Sequence, residues 1–146
     1  MSLSNFSDSM TVPYQQLVPN QKNPYAFNQI WTQRYGKESA SAVHPYAQNM
    51  YLRHVDYQKF GFDYLYTDDS KVQAPHREHI GSNPYISDSS AYQDIVDLIK
   101  DDKSGTSQFL QLVTMQNHTP YNDWYEDNEF KEANTSTELS GWGKRQ

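Results

Sequence analysis

The sequence contains no cysteine, no long apolar run and no extended basic stretch, and each absence excludes a class of protein. Without cysteine the chain has no disulfides, no cysteine-based zinc site and no thiol nucleophile. The longest apolar run, residues 109–115, is interrupted by polar residues and is far shorter than the ~18 residues of a membrane span. The formal net charge of −6 argues against nucleic-acid binding, because neutralisation of phosphates supplies most of that affinity.

Hydrophobic residues make up only 36% of the 146 residues, whereas aromatic residues reach 14% and include 12 tyrosines. A tyrosine buries a large ring and keeps a polar tip, so this composition favours a core with hydrated edges. The charged residues form no long block of one sign, which argues against disorder. The length fits one compact domain or part of one. We interpret residues 1–3, Met-Ser-Leu, as a cloning remnant and residues 4–146 as the domain.

The spacing of apolar residues predicts an α/β fold in which helices alternate with short parallel strands. Helices are predicted over 24–35, over 51–60 and after a cap at Asp88 or Ser89, with an apolar face of Tyr92, Ile95, Val96 and Ile99. Strands are predicted over 38–44, 62–66 and 108–115, with an extended segment over 1–22 and a long loop over 67–86. Since the strand at 108–115 is the most apolar, we expect it to be central and covered on both faces, and 38–44 to be partly buried.

Candidate site residues follow the predicted strands. His44 ends one of them and His118 closely follows another, and the carboxyl ends of parallel strands meet at one edge of a sheet, where ligands bind. Arg53 lies near the start of a predicted helix, where the helix dipole favours acids instead. A guanidinium in that place suggests a two-pronged grip on a phosphate or carboxylate. The alternative is a surface ion pair with Asp56 or Asp63.

Two local patterns favour structural roles. Residues 76–79 read His-Arg-Glu-His, but they follow Pro75 in a predicted loop and depart from the zinc-protease pattern H-E-x-x-H, so exposed or structural histidines are expected. Pro-Tyr dipeptides recur at irregular spacing, and we interpret them as turns with an anchoring ring. They begin at Pro13, Pro24, Pro45, Pro84 and Pro120.

Two longer segments carry a family resemblance. Residues 44–63 read HPYAQNMYLRHVDYQKFGFD, and residues 109–121 read FLQLVTMQNHTPY. They resemble the sulfatase-like phosphoglycerol transferases, a lipoteichoic acid synthase-like family. In that family a strand ends in His, a W-N-R-like segment and F-G-hydrophobic-D follow, and a later strand ends in N-H-x-P-[FY]. Residues 12–14, Val-Pro-Tyr, also resemble the segment after the family's nucleophile helix. The resemblance extends over about residues 10–136.

The resemblance implies an alkaline-phosphatase/sulfatase-like fold with a mostly parallel sheet flanked by helices. It implies an enzyme that transfers glycerol phosphate from phosphatidylglycerol to a polymer such as lipoteichoic acid, using a Thr nucleophile and Mn²⁺ at the extracellular face of the membrane. By position, His44, Arg53 and His118 become substrate-binding residues around the glycerol phosphate, and Tyr51 stands where the family has Trp. No residue here matches the family's nucleophile or metal ligands.

From the resemblance we expect the chain to be a middle piece of the catalytic domain of a membrane-anchored enzyme. We expect the piece to contain no catalytic residue, to need no cofactor, to be inactive alone and to self-associate through surfaces that the full-length enzyme covers. Two other functions stay open. One is a non-catalytic cell-surface domain that binds a polyol or carbohydrate through Tyr and Trp side chains. The other is a complete small metal-dependent hydrolase that uses His76 and His79.

Overall fold

The structure, a computed structural model, describes residues 12–120 and 122–126. Helices and strands alternate in the α/β order that the sequence predicts. They are α1 (Pro13–Gln16), α2 (Phe27–Tyr35), β1 (Ala40–His44), α3 (Arg53–Lys59), β2 (Tyr64–Thr67), α4 (Asp88–Asp101) and β3 (Phe109–Leu112), with 3₁₀ turns at Val18–Asn20 and Met50–Leu52. Predictions for residues 1–11 and 127–146 lie outside the described residues.

The strands form a parallel sheet in the order β2-β1-β3. β1 lies in the middle with all its residues buried, whereas the residues of β3 are only half-buried. The expectation that 108–115 is the central strand, and 38–44 only partly buried, is therefore wrong for the described sheet. The burial of β1 comes from its neighbours, since β2 and β3 pair with it and helices α2 and α4 contact it. Small residues such as Ala40, Ser41 and Ala42 suit that crowded place but give a weak apolar signal.

Helix α2 begins three residues later than predicted. Pro24 is buried outside the helix, and the side chain of Gln29 binds the backbone at the start of the helix. Its Oε1 accepts from the N–H of Ala26 at 3.3 Å, and its Nε2 donates to the carbonyl of Pro24 at 2.9 Å. The predicted end is confirmed: Gly36 follows Tyr35 with a φ of 93°, a conformation that glycine adopts readily.

Helix α4 is capped by Ser87 and not by the predicted Asp88 or Ser89, because the Ser87 hydroxyl accepts from the N–H of Ser90 at 3.2 Å. The buried face of α4 differs from the predicted apolar face, because the loop before the helix packs against the side that carries Asp94. Asp94 is buried on that face and accepts from the backbone N–H of His76 at 3.1 Å. Three large apolar residues predicted to face the core are exposed: Tyr92, Val96 and Ile99.

No helix within the described ranges is long and apolar enough to cross a membrane.

The core lies between the sheet and the N-terminal elements. The extended segment predicted for 1–22 is wrong where it is described, because α1 and a 3₁₀ turn lie there and Val18 is fully buried. The long loop predicted over 67–86 is confirmed, with only a single bridge between Thr67 and Gln73. The fully or almost fully buried core residues are Val18, Ala26, Ala40, Ala42, Tyr57, Phe60 and Phe62.

Candidate functional site

The four residues proposed as substrate-binding lie at or near the carboxyl edge of the sheet. His44 is the last residue of β1. His118 follows β3 in a turn, where its backbone N–H donates to the carbonyl of Met115 at 2.9 Å. Arg53 is the first residue of α3, and Tyr51 lies in the 3₁₀ turn before it. Arg53 and His118 both influence the His44 ring electrostatically, so the fold brings these three side chains into one neighbourhood.

His44 is fully buried, and its Nδ1 lies 3.2 Å from the carbonyl oxygen of Val113. Because a carbonyl only accepts, this nitrogen must carry the proton and donate. Burial above all, and then the charge of Arg53, lowers the pKa of His44 to about 4, so the ring is neutral near pH 7. The Nε2 lone pair is buried and has no hydrogen-bond partner within residues 12–120 and 122–126. His44 therefore has one unused acceptor.

His118 is half-buried and is oriented by backbone and by Tyr85. Its Nδ1 lies 2.7 Å from the carbonyl oxygen of Thr119, to which it donates. The hydroxyl of Tyr85 donates to the same carbonyl at 2.8 Å and lies 3.5 Å from the His118 Nδ1. Both histidines thus place Nδ1 on a backbone carbonyl, and the Nε2 of each forms no hydrogen bond with described residues.

A chain of aromatic rings joins the two histidines. Ring centroids are 6.4 Å apart for His44 and Tyr46, 5.6 Å for Tyr46 and Tyr85, and 5.6 Å for Tyr85 and His118. Each pair packs edge to face, a favourable arrangement for aromatic rings. Burial raises the pKa of Tyr85, and Tyr46 and Tyr51 are near enough to raise it further. The sequence prediction missed Tyr46 and Tyr85 as site residues, although both belong to Pro-Tyr dipeptides.

Arg53 is presented by an irregular entry to α3. Tyr51 and Leu52 have φ angles of 52° and 55°, in the left-handed region that residues other than glycine adopt infrequently. The guanidinium carbon of Arg53 lies 5.9 Å from the centre of the Tyr51 ring, and Nη1 donates to the hydroxyl of Tyr57 at 3.3 Å. Its Nε is buried and has no partner within the described ranges. Two donors of the guanidinium, Nε and Nη2, therefore form no hydrogen bond with described residues.

The surface ion pair considered for Arg53 does not form in the part of the chain that the structure describes. Asp63 instead accepts from the backbone N–H of Ala40 at 3.2 Å. Asp56 is 1% exposed, and its Oδ1 has no partner among the described residues. Burial raises the pKa of Asp56 to about 6, although the charge of Arg53 opposes the rise. The guanidinium therefore has no carboxylate at hydrogen-bonding distance here and keeps its charge for an anion.

Tyr51 and Arg53 line a cleft of about 490 Å³. Its lining residues are Val12, Pro13, Tyr14, Tyr51, Arg53, Asp56, Tyr57, Gln111 and Val113. His44 and His118 are not part of this lining, but the carbonyl that binds His44 belongs to Val113. The predicted residues thus divide into a cation with an aromatic ring in the cleft and two histidines beside it.

The histidines of segment 76–79 point to separate partners. The Nε2 of His76 lies 2.7 Å from a carboxylate oxygen of Asp97, whereas the Nδ1 of His79 donates to the carbonyl of Asn83 at 3.0 Å. No group of three His, Asp or Glu side chains suited to a metal ion occurs among the described residues. The Mn²⁺ implied by the resemblance therefore has no ligand set in this part of the chain.

The family model described as Sulfatase matches residues 2–141. The structure is similar to the phosphoglycerol transferase GacH of Streptococcus pyogenes, solved in complex with sn-glycerol-1-phosphate, with 25% identity and a TM-score of 0.67. That match covers 96% of this chain and 36% of the GacH chain.

The structure is also similar to the lipoteichoic acid synthase LtaP of Listeria monocytogenes, with 17% identity and a TM-score of 0.66, which shows a shared fold. The match covers 90% of this chain and 31% of the LtaP chain, so the chain spans about a third of each solved protein. No curated protein is significantly similar in sequence.

Proposed function

Since the chain belongs to the sulfatase family, whose model matches nearly its whole length, we propose that it forms the glycerol-phosphate side of a phosphoglycerol transferase active site. The observation that carries this proposal is the position of Arg53. Its guanidinium lies near the carboxyl edge of a parallel sheet, where its charge lowers the pKa of His44, and two of its donors have no partner among the described residues. The similar GacH structure, which contains sn-glycerol-1-phosphate, supports a substrate of that class.

Arg53 binds the phosphate in this proposal. Nη1 is engaged by Tyr57, and the other side of the planar guanidinium presents Nε–H and Nη2–H in parallel. That pair matches two oxygens of a phosphate and supplies charge-assisted hydrogen bonds. A lysine at the same place would keep the charge and lose the paired geometry.

The histidines bind the glycerol part and orient the phosphate. Neutral His44 offers only an acceptor at Nε2, so it suits a glycerol hydroxyl and would repel a phosphate oxygen. His118 is half-buried and can donate from Nε2 to a phosphate oxygen when it is protonated. Tyr51, which is 42% exposed, forms an aromatic wall against the glycerol carbons.

The proposal extends to the reaction of the full-length enzyme. We propose that it takes glycerol phosphate from phosphatidylglycerol, transfers it to a polymer such as lipoteichoic acid, and works at the extracellular face of the membrane. A Thr nucleophile would carry the phosphoryl group and Mn²⁺ would stabilise its charge. The chain described here would supply substrate binding alone and be inactive by itself.

The test compares Arg53→Lys with Arg77→Lys. Arg77 pairs with Asp68 at 3.3 Å on the surface, so its replacement is a matched control. In the full-length enzyme, turnover of the lipid substrate should fall more than about tenfold for Arg53→Lys, equivalent to ~1.4 kcal/mol of transition-state stabilisation. The control should keep wild-type turnover.

Melting curves of both variants separate loss of folding from loss of phosphate binding. Wild-type turnover in Arg53→Lys would refute the phosphate role of Arg53. The alternative of a polyol-binding domain predicts something different: the chain would bind glycerol as tightly as glycerol phosphate, and Arg53→Lys would not alter either affinity.

We also propose that the isolated chain self-associates, because it exposes large apolar side chains. Phe27 is 59% exposed on α2, and Tyr92 and Ile99 are each 61% exposed on α4. Apolar residues grouped on a helix face favour contact with a second copy. Light scattering across a concentration series should show mass increasing with concentration, and a constant monomer mass would refute the proposal.

A further inference from the structure

Tyr57 holds the guanidinium of Arg53 from inside the core. Its ring is 3% exposed and packs on Phe62 with centroids 5.0 Å apart. Its hydroxyl lies one helical turn after Arg53 and 3.3 Å from Nη1. The Nε2 of Gln111, from β3, donates to the same hydroxyl at 3.4 Å. Tyr57 therefore connects the first residue of α3 to the neighbouring strand.

The nature of this contact separates orientation from charge. A carboxylate in the place of Tyr57 would also orient the guanidinium, but it would neutralise much of the positive charge that a phosphate needs. A phenol accepts a hydrogen bond without that cost. Burial, the largest influence, raises the pKa of Tyr57, so the hydroxyl stays neutral near pH 7. Arg53 is thus oriented while its full charge remains available.

We propose that Tyr57, held by Gln111, is a positioning residue that turns the Nε and Nη2 edge of Arg53 towards the bound anion. This inference rests on the proposed function, because it assigns the anion to the phosphate of the same substrate. It adds a residue that acts on the phosphate through Arg53. The contact on Nη1 leaves the opposite edge as the binding edge, so the inference also fixes how the phosphate approaches.

The test uses the 146-residue chain and its arginine side-chain NMR signals. The sequence contains only four arginines, and Arg53→Lys identifies the Arg53 signals by their disappearance. Tyr57→Phe keeps the ring on Phe62 and removes the hydroxyl. Rotation about the Nε–Cζ bond of Arg53 should become faster in Tyr57→Phe, which averages its Nη signals. Tyr64→Phe is the matched control, because its hydroxyl donates to Glu38 on the surface at 3.1 Å.

Titration with sn-glycerol-1-phosphate supplies the second measurement. Affinity should fall about three- to tenfold in Tyr57→Phe, the value of one hydrogen bond, and stay at the wild-type level in Tyr64→Phe. Gln111→Ala should change both measurements in the same direction by less. Inorganic phosphate should show a similar relative loss, because the inference concerns the phosphate group.

The two proposals fail in different ways. If the wild-type chain does not bind glycerol phosphate, the proposed function is contradicted, and the Arg53 signals of the ligand-free chain still decide whether Tyr57 positions the guanidinium. If Tyr57→Phe leaves those signals and the affinity unchanged, the positioning role is overturned while the function of Arg53 stands.

Discussion

Two pairs of histidines in this molecule differ in how their separation along the chain relates to their surroundings in the fold. His76 and His79 are close in sequence, yet one contacts Asp97 and the other contacts Asn83. His44 and His118 are far apart in sequence, yet a chain of aromatic rings joins them. The difference follows from topology, since parallel strands bring their carboxyl ends to one edge, whereas a loop gives each residue its own neighbour.

The two pairs also differ in electrostatics. Burial lowers the pKa of His44, because a charged ring would lose hydration without gaining a partner. The hydrogen bond to Asp97 raises the pKa of His76 on the surface. A neutral buried acceptor suits recognition of a hydroxyl, and a half-buried ring with a raised pKa suits a structural ion pair. Sequence spacing alone favours the wrong pair as a functional unit.

The largest expected effect comes from removing the titration of His44. Between pH 6.5 and about 4, the unfolded chain binds a proton that folded His44 does not, so His44 lowers the free energy of unfolding by about 3 kcal/mol as pH falls through this range. His44→Asn keeps a donor near Val113, and its free energy of unfolding should not show this decrease on acidification. Urea unfolding at several pH values measures it, and parallel curves for variant and wild type would contradict the buried neutral state.

Asp56 should oppose His44 in the same pH range. Folded Asp56 binds a proton up to pH about 6, whereas the unfolded group releases it near 3.8. Its contribution therefore falls by about 3 kcal/mol as pH rises from 3.8 to 6. Asp56→Asn should make the protein lose stability more steeply on acidification than wild type. In the double variant with His44→Asn, the dependence of the unfolding free energy on pH should return to that of wild type. If the two single variants shifted this dependence in the same direction, the prediction would be contradicted.

His76→Ala should have a smaller effect with a different dependence on pH. Because the pKa of His76 is raised by Asp97, its stabilising contribution is complete below the unfolded pKa and disappears as pH rises through the folded pKa. The variant should therefore lose stability at pH 5.5 and little at pH 8.5, with less loss at high salt. Glycerol phosphate binding should not change. If His76→Ala lost as much binding as His44→Asn, the two pairs of histidines would belong to one site and the prediction would be contradicted.

The smallest expected effect is that of metal on segment 76–79. Since His76 and His79 have separate partners, Mn²⁺ or Zn²⁺ should not bind stoichiometrically through them. Metal analysis of the purified chain, compared with His76→Ala, measures this directly. Stoichiometric metal that disappears in the variant would restore the hydrolase interpretation.

Much of the fold follows from local sequence, and the exceptions have long-range causes. The spacing of apolar residues predicts the order of the elements, and Gly36 marks the end of α2. It does not identify the central strand, because β1 is buried by its neighbours and not by its own apolarity. Similarly, Asp94 faces inward on α4 because it accepts from the distant N–H of His76.

The candidate site divides in the same way. His44, Arg53 and His118 carry local signals, namely a strand end or an unusual place in a helix. Tyr57 carries none and Tyr85 carries only its Pro-Tyr dipeptide, since their roles depend on hydroxyl contacts with residues that only the tertiary structure brings near. A sequence pattern can therefore suggest the groups that meet a ligand more readily than the groups that orient them.

The aromatic chain between the histidines also has an optical consequence. Trp124 packs edge to face on Tyr85, with ring centroids 5.8 Å apart, and thereby extends the chain to an indole. Excitation absorbed by Tyr46 or Tyr85 can pass to Trp124 by resonance energy transfer. A ligand at the carboxyl edge would alter the surroundings of these three rings, so the fluorescence emission of Trp124 would report binding without an added label.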